Sequence, residues 1–179
     1  MEALDATAED LPLGDRSADA AVAAQAFHWF DGNRALRELA RVLRPGSRLA
    51  LVWNVRDEET PWVREMTELI EPYRGNTPAF RSMRWREAFD RTAAFTLPEL
   101  TSFGYVHHTT VDGTVSRILS ISFIATLPDA ERRRVADEIA GLLPPGDEVR
   151  FPYRTDVWVS ELRRGSLTHP RRSRTAAGG

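Results

Sequence analysis

The sequence predicts one α/β domain in which helices pack on a layered sheet. Short apolar runs of strand length alternate along the chain with longer segments of helical periodicity. The 179 residues, of which 42% are hydrophobic, are enough to bury one core and too few to expect two domains. This alternation implies right-handed crossovers between parallel neighbouring strands.

The first half of the chain predicts a strand, a helix and a second strand. Residues 19–24 (DAAVAA) form an apolar run without polar alternation, which is typical of a strand buried on both faces. The next segment has a helical apolar stripe, a cap at Asp31 or Asn33, and a stop at 44–46 (RPG). Residues 48–53 (RLALVW) have the length and composition of a second buried strand.

The second half continues the alternation. Helices are predicted after Thr60-Pro61, over 82–91, through 115–125 and after Pro128-Asp129. Residues 97–100 (LPEL) predict a turn or a further short helix. Residues 101–110 and 148–162 are rich in β-forming residues, and we expect them to pair as an antiparallel edge.

Charge and composition argue against several classes of function. Residues 1–162 hold 19 arginines against all 26 acidic residues, a surplus of seven negative charges that makes a poor nucleic-acid surface. Residues 163–179 hold five arginines and no acid, and they predict a disordered basic tail, with a weak polyanion-binding arm as the alternative. Zero cysteines and four scattered histidines predict no metal site.

The sequence also predicts a cytoplasmic protein of bacterial origin without a membrane partner. No apolar run approaches the ~20 residues of a membrane span, and the first residues, MEALDATAED, are acidic, unlike a signal peptide. All 24 basic residues are arginine and alanine is abundant, which indicates a GC-rich bacterial genome.

Candidate binding residues follow each strand, because ligands in open parallel sheets bind beyond the carboxyl ends of the strands. The positions after the first strand are Gln25, Ala26, Phe27, His28 and Trp29, and those after the second include Asn54 and Arg56. His28 is the candidate general base because its ordinary pKa is near ~6.5, with a pocket-wall or helix-entry role as the alternatives. We expect the side chain of Trp29 either to pack in the core or to form a wall of the pocket.

Several segments resemble a known family. The segments TAEDLPLGDRSADAAVAAQAFHWFD and RALRELARVLRPGSRLALVWN resemble the second half of a class I S-adenosylmethionine-dependent methyltransferase of the small-molecule type. Within that superfamily they are similar to trans-aconitate methyltransferase-like bacterial proteins. The resemblance covers roughly residues 4–162. It implies a doubly wound, mostly parallel Rossmann-like sheet with an antiparallel edge strand, and S-adenosylmethionine as the cofactor.

The resemblance also implies roles for individual positions. Thr7, Ala8 and Glu9 would lie along the adenine, Gln25 to Trp29 would line the methyl-donor end, and Asn54 and Arg56 would face a small-molecule acceptor. A carboxylate acceptor needs no base and suits arginine. The further candidates for binding it are Arg117, Ser120, Tyr153 and Arg154, with ordinary surface, helix or strand positions as the alternative for each.

One departure from the family limits these expectations. No two glycines are separated by a single residue, so the G-x-G-x-G turn of the family is missing, as are its first strands. We therefore expect 1–162 to be an N-terminally truncated methyltransferase domain that is inactive or impaired, with an apolar sheet edge along 19–24 that invites self-association. The alternatives are a non-catalytic interaction or binding module and, less favoured, half of a dinucleotide-dependent oxidoreductase.

Overall fold

The computed structural model describes residues 3–165, and these form a mixed four-stranded sheet with helices on both faces. The strands are β1 (Ala18–Ala24), β2 (Leu43–Arg56), β3 (Glu99–Thr110) and β4 (Glu148–Glu161). Their order in the sheet is β1-β2-β4-β3. The β1–β2 pair is parallel, whereas β2–β4 and β3–β4 are antiparallel. The predicted α/β class and the predicted antiparallel edge are therefore confirmed, but most pairs in the described part of the sheet are antiparallel.

Six α-helices connect and cover the strands. They are α1 (Gly32–Val42), α2 (Pro61–Ile70), α3 (Glu87–Asp90), α4 (Val111–Leu119), α5 (Ser122–Ala125) and α6 (Asp129–Leu142). Asp31 is the cap of α1, because its carboxylate accepts a hydrogen bond from the backbone N–H of Arg34. Of the two predicted caps, Asp31 and Asn33, the first is therefore confirmed.

Two boundaries differ from the sequence-based expectation. The predicted helix 115–125 is divided into α4 and α5, because Ile121 adopts an extended backbone conformation with ψ of 132°. Residues 97–100 are not a helix, since Glu99 already begins β3 opposite Val159. In both places tertiary pairing and packing override a weak local pattern.

The core consists of two hydrophobic clusters on opposite faces of the sheet. The first cluster packs α1 and α3 against Leu49, Leu51 and Trp53 of β2. The second packs α2, α4 and α6 against Val149 and Phe151 of β4. Side chains alternate between the two faces along each strand, so both layers of helices are held by one sheet.

The expectation that residues 19–24 are buried on both faces is wrong for the described chain. β1 is an edge strand there, and only alternate positions such as Ala21 and Ala23 are partly buried against the first cluster. Val22, on the other face, is 68% exposed. An apolar run therefore identified the strand but not its surroundings. Self-association through this edge stays a prediction.

None of the helices in residues 3–165 is long and apolar enough to cross a membrane.

Candidate functional site

A cavity of about 490 Å³ lies at the carboxyl ends of the parallel strands β1 and β2. This is the position that the sheet topology predicts for a ligand. The predicted residues that line it are Gln25, His28, Asn54, Arg56, Arg117, Ser120 and Tyr153. Residues more than 120 positions apart in sequence therefore meet at one site. Pairing across the sheet contributes to this, because Arg56 lies directly opposite Tyr153 in the β2–β4 register.

Gln25 directly follows β1 and adopts a conformation that non-glycine residues rarely adopt. Its φ is 54°, in the left-handed region, and its backbone N–H donates to the carbonyl of Val52 over 2.8 Å. The side-chain amide donates to the carbonyl of Asn54 over 3.4 Å. Backbone conformations of this kind occur disproportionately at ligand sites, since the surrounding structure must hold them. Gln25 thus turns the chain out of the sheet at the rim of the cavity.

The remaining predicted residues lie outside this cavity. Phe27 is 1% exposed and packs in the first cluster, edge-on to the ring of Trp85. Trp29 is 54% exposed, so it is neither a core residue nor a wall of the cavity. Ala26 is half-buried. Arg154 pairs with Asp156, with 2.7 Å between Nε and Oδ1.

The predicted adenine loop is attached to the start of α1. The carboxylate of Glu9 accepts a hydrogen bond from the backbone N–H of Asp31 over 2.9 Å. Thr7 makes a short antiparallel bridge with Asp10. Thr7, Ala8 and Glu9 are not among the residues that line the 490 Å³ cavity.

His28 is held by a hydrogen bond that fixes its neutral tautomer. The indole N–H of Trp53 donates to Nδ1 of His28 over 3.2 Å, so the proton of the neutral ring resides on Nε2. Burial, and secondarily the positive charge of Arg74, lower the pKa of His28 below its ordinary value. His28 is therefore a neutral hydrogen-bond donor through Nε2, and this tautomer does not suit a general base.

Four arginines line the cavity, and they differ in their partners. Arg74 pairs with Glu71 over 2.8 Å, and Arg81 pairs with Glu58 over 2.5 Å. The lining contains no acidic side chain.

The other two arginines, Arg56 and Arg117, make no ion pair within the described chain. The Nε–H of Arg117 donates to the hydroxyl of Tyr153 over 2.8 Å, and its guanidinium lies 5.1 Å from the Tyr153 ring centre. Two positive charges thus remain without an ion-pair partner at the site.

Electrostatics around Arg56 and Tyr153 favour an anionic ligand. Burial, and then the guanidinium of Arg81, lower the pKa of Arg56, which nevertheless stays protonated at neutral pH. Burial also raises the pKa of Tyr153, against the opposing effect of Arg117. Tyr153 is therefore a neutral phenol that accepts a hydrogen bond from Arg117 and keeps its own proton for donation.

Sequence reasoning did not identify several lining residues. They include Trp53, Arg74, Phe80 and Arg81. The rings of Trp53 and Phe80 stack with centres 5.3 Å apart and planes inclined by 19°, and they form an apolar wall. A positive φ at Gly75 and at Met83 bounds the loop that supplies Phe80 and Arg81. Trp53 directly precedes Asn54, a predicted binding residue, and this position was the signal in the sequence that could have identified it as a lining residue.

Comparison with known proteins shows that the chain is similar to methyltransferases. Residues 1–51 match a family described as a methyltransferase domain. An uncharacterized methyltransferase-like protein of Schizosaccharomyces pombe is 36% identical over 157 residues, which are 84% of this chain and 61% of that protein. An uncharacterized methyltransferase of Mycobacterium tuberculosis is 40% identical over 141 residues, which are 79% of this chain and 55% of that protein. The chain thus spans a little more than half the length of these relatives.

Solved structures agree with this placement. A type II methyltransferase candidate from Anaeromyxobacter dehalogenans is 27% identical, with a TM-score of 0.59 over 86% of this chain and 68% of that one. A methyltransferase candidate from Bacillus halodurans, 18% identical, shares the fold with a TM-score of 0.51 over 90% of this chain and 78% of that one. By sequence and by fold, the chain is similar to part of a class I methyltransferase.

Proposed function

We propose that this chain supplies the acceptor side of an S-adenosylmethionine-dependent methyltransferase whose acceptor is a small molecule bearing a carboxylate. The observation that carries the proposal is the cavity beyond β1 and β2, which is lined by four guanidinium groups and by no acidic side chain. A guanidinium binds a carboxylate through two parallel hydrogen bonds, which fixes the orientation of the acceptor as well as its position.

The charge of the cavity suits the acceptor better than the cofactor. S-adenosylmethionine has a net positive charge, because its sulfonium and ammonium groups outweigh its one carboxylate, and four arginines would repel it overall. The surface next to the cavity suits the cofactor better. It exposes the flat ring of Trp29, and it lies close in sequence to Asp31, whose backbone N–H holds the carboxylate of Glu9. We therefore place the cofactor beyond Gln25 and His28, on the side of Thr7, Ala8 and Glu9.

The residues of the chain bind and orient the acceptor. When bound, S-adenosylmethionine supplies a methyl group that is already activated by its sulfonium. A carboxylate oxygen is already ionised at neutral pH, so no general base is required, and rate enhancement comes from proximity and orientation. Arg56 and Arg117 hold the acceptor, and the Tyr153 hydroxyl donates a hydrogen bond to it. His28 donates from Nε2 at the boundary between acceptor and cofactor.

The stacked rings of Trp53 and Phe80 complete this arrangement by excluding water from one side of the acceptor. An apolar wall beside a charged group is the usual composition of a small-molecule site, in which a few polar groups set the orientation. An acceptor with an apolar body and a terminal carboxylate would contact both surfaces at once.

Methyl-ester formation tests the proposal. The purified chain is incubated with methyl-labelled S-adenosylmethionine and a series of aromatic and aliphatic carboxylic acids, and esters are measured as methanol released by base. Label should enter ester slowly, because the chain lacks the G-x-G-x-G turn of the family, and only when a carboxylic acid is present. The Arg56→Met variant should lose at least about tenfold of that signal, the effect of one charge-assisted hydrogen bond, and Arg64→Met, on the exposed face of α2, should not.

Binding measured separately by calorimetry distinguishes the alternatives. Carboxylate binding that depends on Arg56, without any methyl transfer, would favour the non-catalytic binding module. Transfer of label to amines or alcohols but to no carboxylic acid would contradict the assignment of the acceptor.

A further inference from the structure

The outer edge of β3 is an unprotected apolar strand. Of the nine large hydrophobic side chains that are exposed in the described chain, five lie on this strand or within two residues of it. These five are Leu97, Leu100, Phe103, Tyr105 and Val106. Residues 99–106 are exposed without interruption. Such a concentration of apolar surface on one strand is unusual for a surface that remains in water.

The strand also lacks the features that keep sheet edges from pairing. Natural edge strands are short, or they carry charges, proline or a bulge. β3 has 12 residues, and its central stretch 100–106 (LTSFGYV) contains neither a charge nor a proline. Its pairing with β4 runs from Glu99 to Thr110 without a register shift. Within residues 3–165, no strand pairs with its other edge.

The side chains of β3 are complementary in an antiparallel self-pairing. Glu99 lies at the start of the strand, and His107 and His108 lie near its end. A two-fold axis through Gly104 would set Phe103 of one copy opposite Tyr105 of the other, and Glu99 diagonal to His107 on the same face. Aromatic pairs of this kind stabilise antiparallel ladders, the Glu99 carboxylate can accept a hydrogen bond from an imidazole N–H of His107, and no like charges would face each other.

Gly104 is the point at which two copies can approach most closely. It lies in the middle of the strand, and no atom lies within 4 Å of where its Cβ would be. A glycine inside a strand often marks the place where another backbone comes near. We propose that two copies of this chain associate by antiparallel pairing of their β3 strands about Gly104, which joins their sheets into one.

Two valines on opposite edges of the sheet provide a matched test. Val106 is 40% exposed on β3, and Val22 is 68% exposed on β1. Sedimentation equilibrium of the full chain should show a monomer–dimer equilibrium. Val106→Lys should weaken it by about tenfold or more, because it places a charge on the strand that pairs, whereas Val22→Lys tests the alternative association through the β1 edge and should leave a dimer paired through β3 unchanged. A wild-type chain that stays monomeric, or dissociation by Val22→Lys but not by Val106→Lys, would overturn the proposal.

A cysteine cross-link tests the register, and it does not depend on weakening the dimer. The chain has no cysteine, so Gly104→Cys introduces the only thiol. Directly opposed residues of antiparallel strands have Cα atoms about 4.5–5.5 Å apart, within the range that a disulfide spans. Mild oxidation of Gly104→Cys should give a covalent dimer, and Val22→Cys should not. Equal cross-linking of both variants would show that the contact is non-specific and would contradict β3 pairing.

Discussion

Replacement of Arg56 by methionine should make the ligand-free protein more stable while it weakens ligand binding. The guanidinium is half-buried and has no ion-pair partner within the described chain. Burial and the charge of Arg81 both disfavour its charged form, as the lowered pKa of Arg56 indicates. Methionine keeps most of the apolar stem and removes the charge. The stability of the ligand-free protein and the affinity for the ligand change in opposite directions, because the same unpaired charge that destabilises the empty site binds the ligand.

The size of this effect follows from how far Arg56 is removed from water. Replacing buried charges by apolar side chains of similar volume changes stability by between zero and a gain of roughly 1–4 kcal/mol. Arg56 opens onto the cavity, so we expect the lower part of that range, about 1 kcal/mol. For a domain of this size, 1 kcal/mol corresponds to a rise in Tm of about 2–4 °C.

Differential scanning calorimetry of the ligand-free proteins measures this change. Arg64→Met is the control, because Arg64 is exposed on α2 and substitutions at such positions usually change stability by less than about 0.5 kcal/mol. A Tm for Arg56→Met that falls below that of the wild-type protein would refute the reasoning, since it would show that Arg56 stabilises the fold. An unchanged Tm with lost carboxylate affinity would retain the binding role and reject the electrostatic strain.

Three other predictions concern the surroundings of the cavity. Arg74→Met should raise the pKa of His28 part of the way to its ordinary value, because the charge of Arg74 is the second cause of the lowering. The Cε1 proton of His28, followed by NMR through a pH titration, measures this pKa. An unchanged pKa would show that the charge of Arg74 has no effect. Since the folded-state pKa of His28 is lowered, its contribution to stability is complete above about pH 6.5, the unfolded value, and declines as the pH falls toward the folded value; denaturant titrations of His28→Gln should show a weaker acid dependence than the wild-type protein. Tyr153→Phe removes the acceptor of the Arg117 hydrogen bond and should cost about 1 kcal/mol of unfolding free energy together with carboxylate affinity, whereas loss of stability alone would argue against a role in binding. Phe27→Ala should cost about 3–5 kcal/mol in urea unfolding, and a cost under about 1 kcal/mol would mean that Phe27 is not part of the core.

Local signals in the sequence were sufficient for the unit that positions the site. The apolar run 19–24, the cap at Asp31 or Asn33 with the helical stripe after it, and the apolar run 48–53 predicted β1, α1 and β2 in the right order. The carboxyl-end rule then brought Gln25, His28 and Arg56 to one cavity. These features are encoded within a few residues of where they act, so periodicity and turn chemistry find them.

Other features depend on contacts between distant segments, and the sequence could not show them. The burial of β1 depends on what lies against each face of the strand, which an alanine-rich run does not specify. The loop that carries Phe80 and Arg81 has no periodicity, so nothing local indicates that it folds over the end of β2. The tautomer of His28 depends on Trp53, 25 residues away. Such contacts depend on the tertiary structure, and the secondary-structure propensities of single residues do not encode them.

The two hydrophobic clusters come together through only a few side chains at the end of the sheet. The cavity lies at this place. Its lining takes Trp53 and Val55 from the first cluster and Ile118 and Tyr153 from the second. A ligand in the cavity would therefore touch both faces of the sheet at once. Binding should slow hydrogen exchange in α1 and α4 together, although these helices lie on opposite sides. The bound acceptor would then connect the two helical layers, which otherwise share only the strands of the sheet.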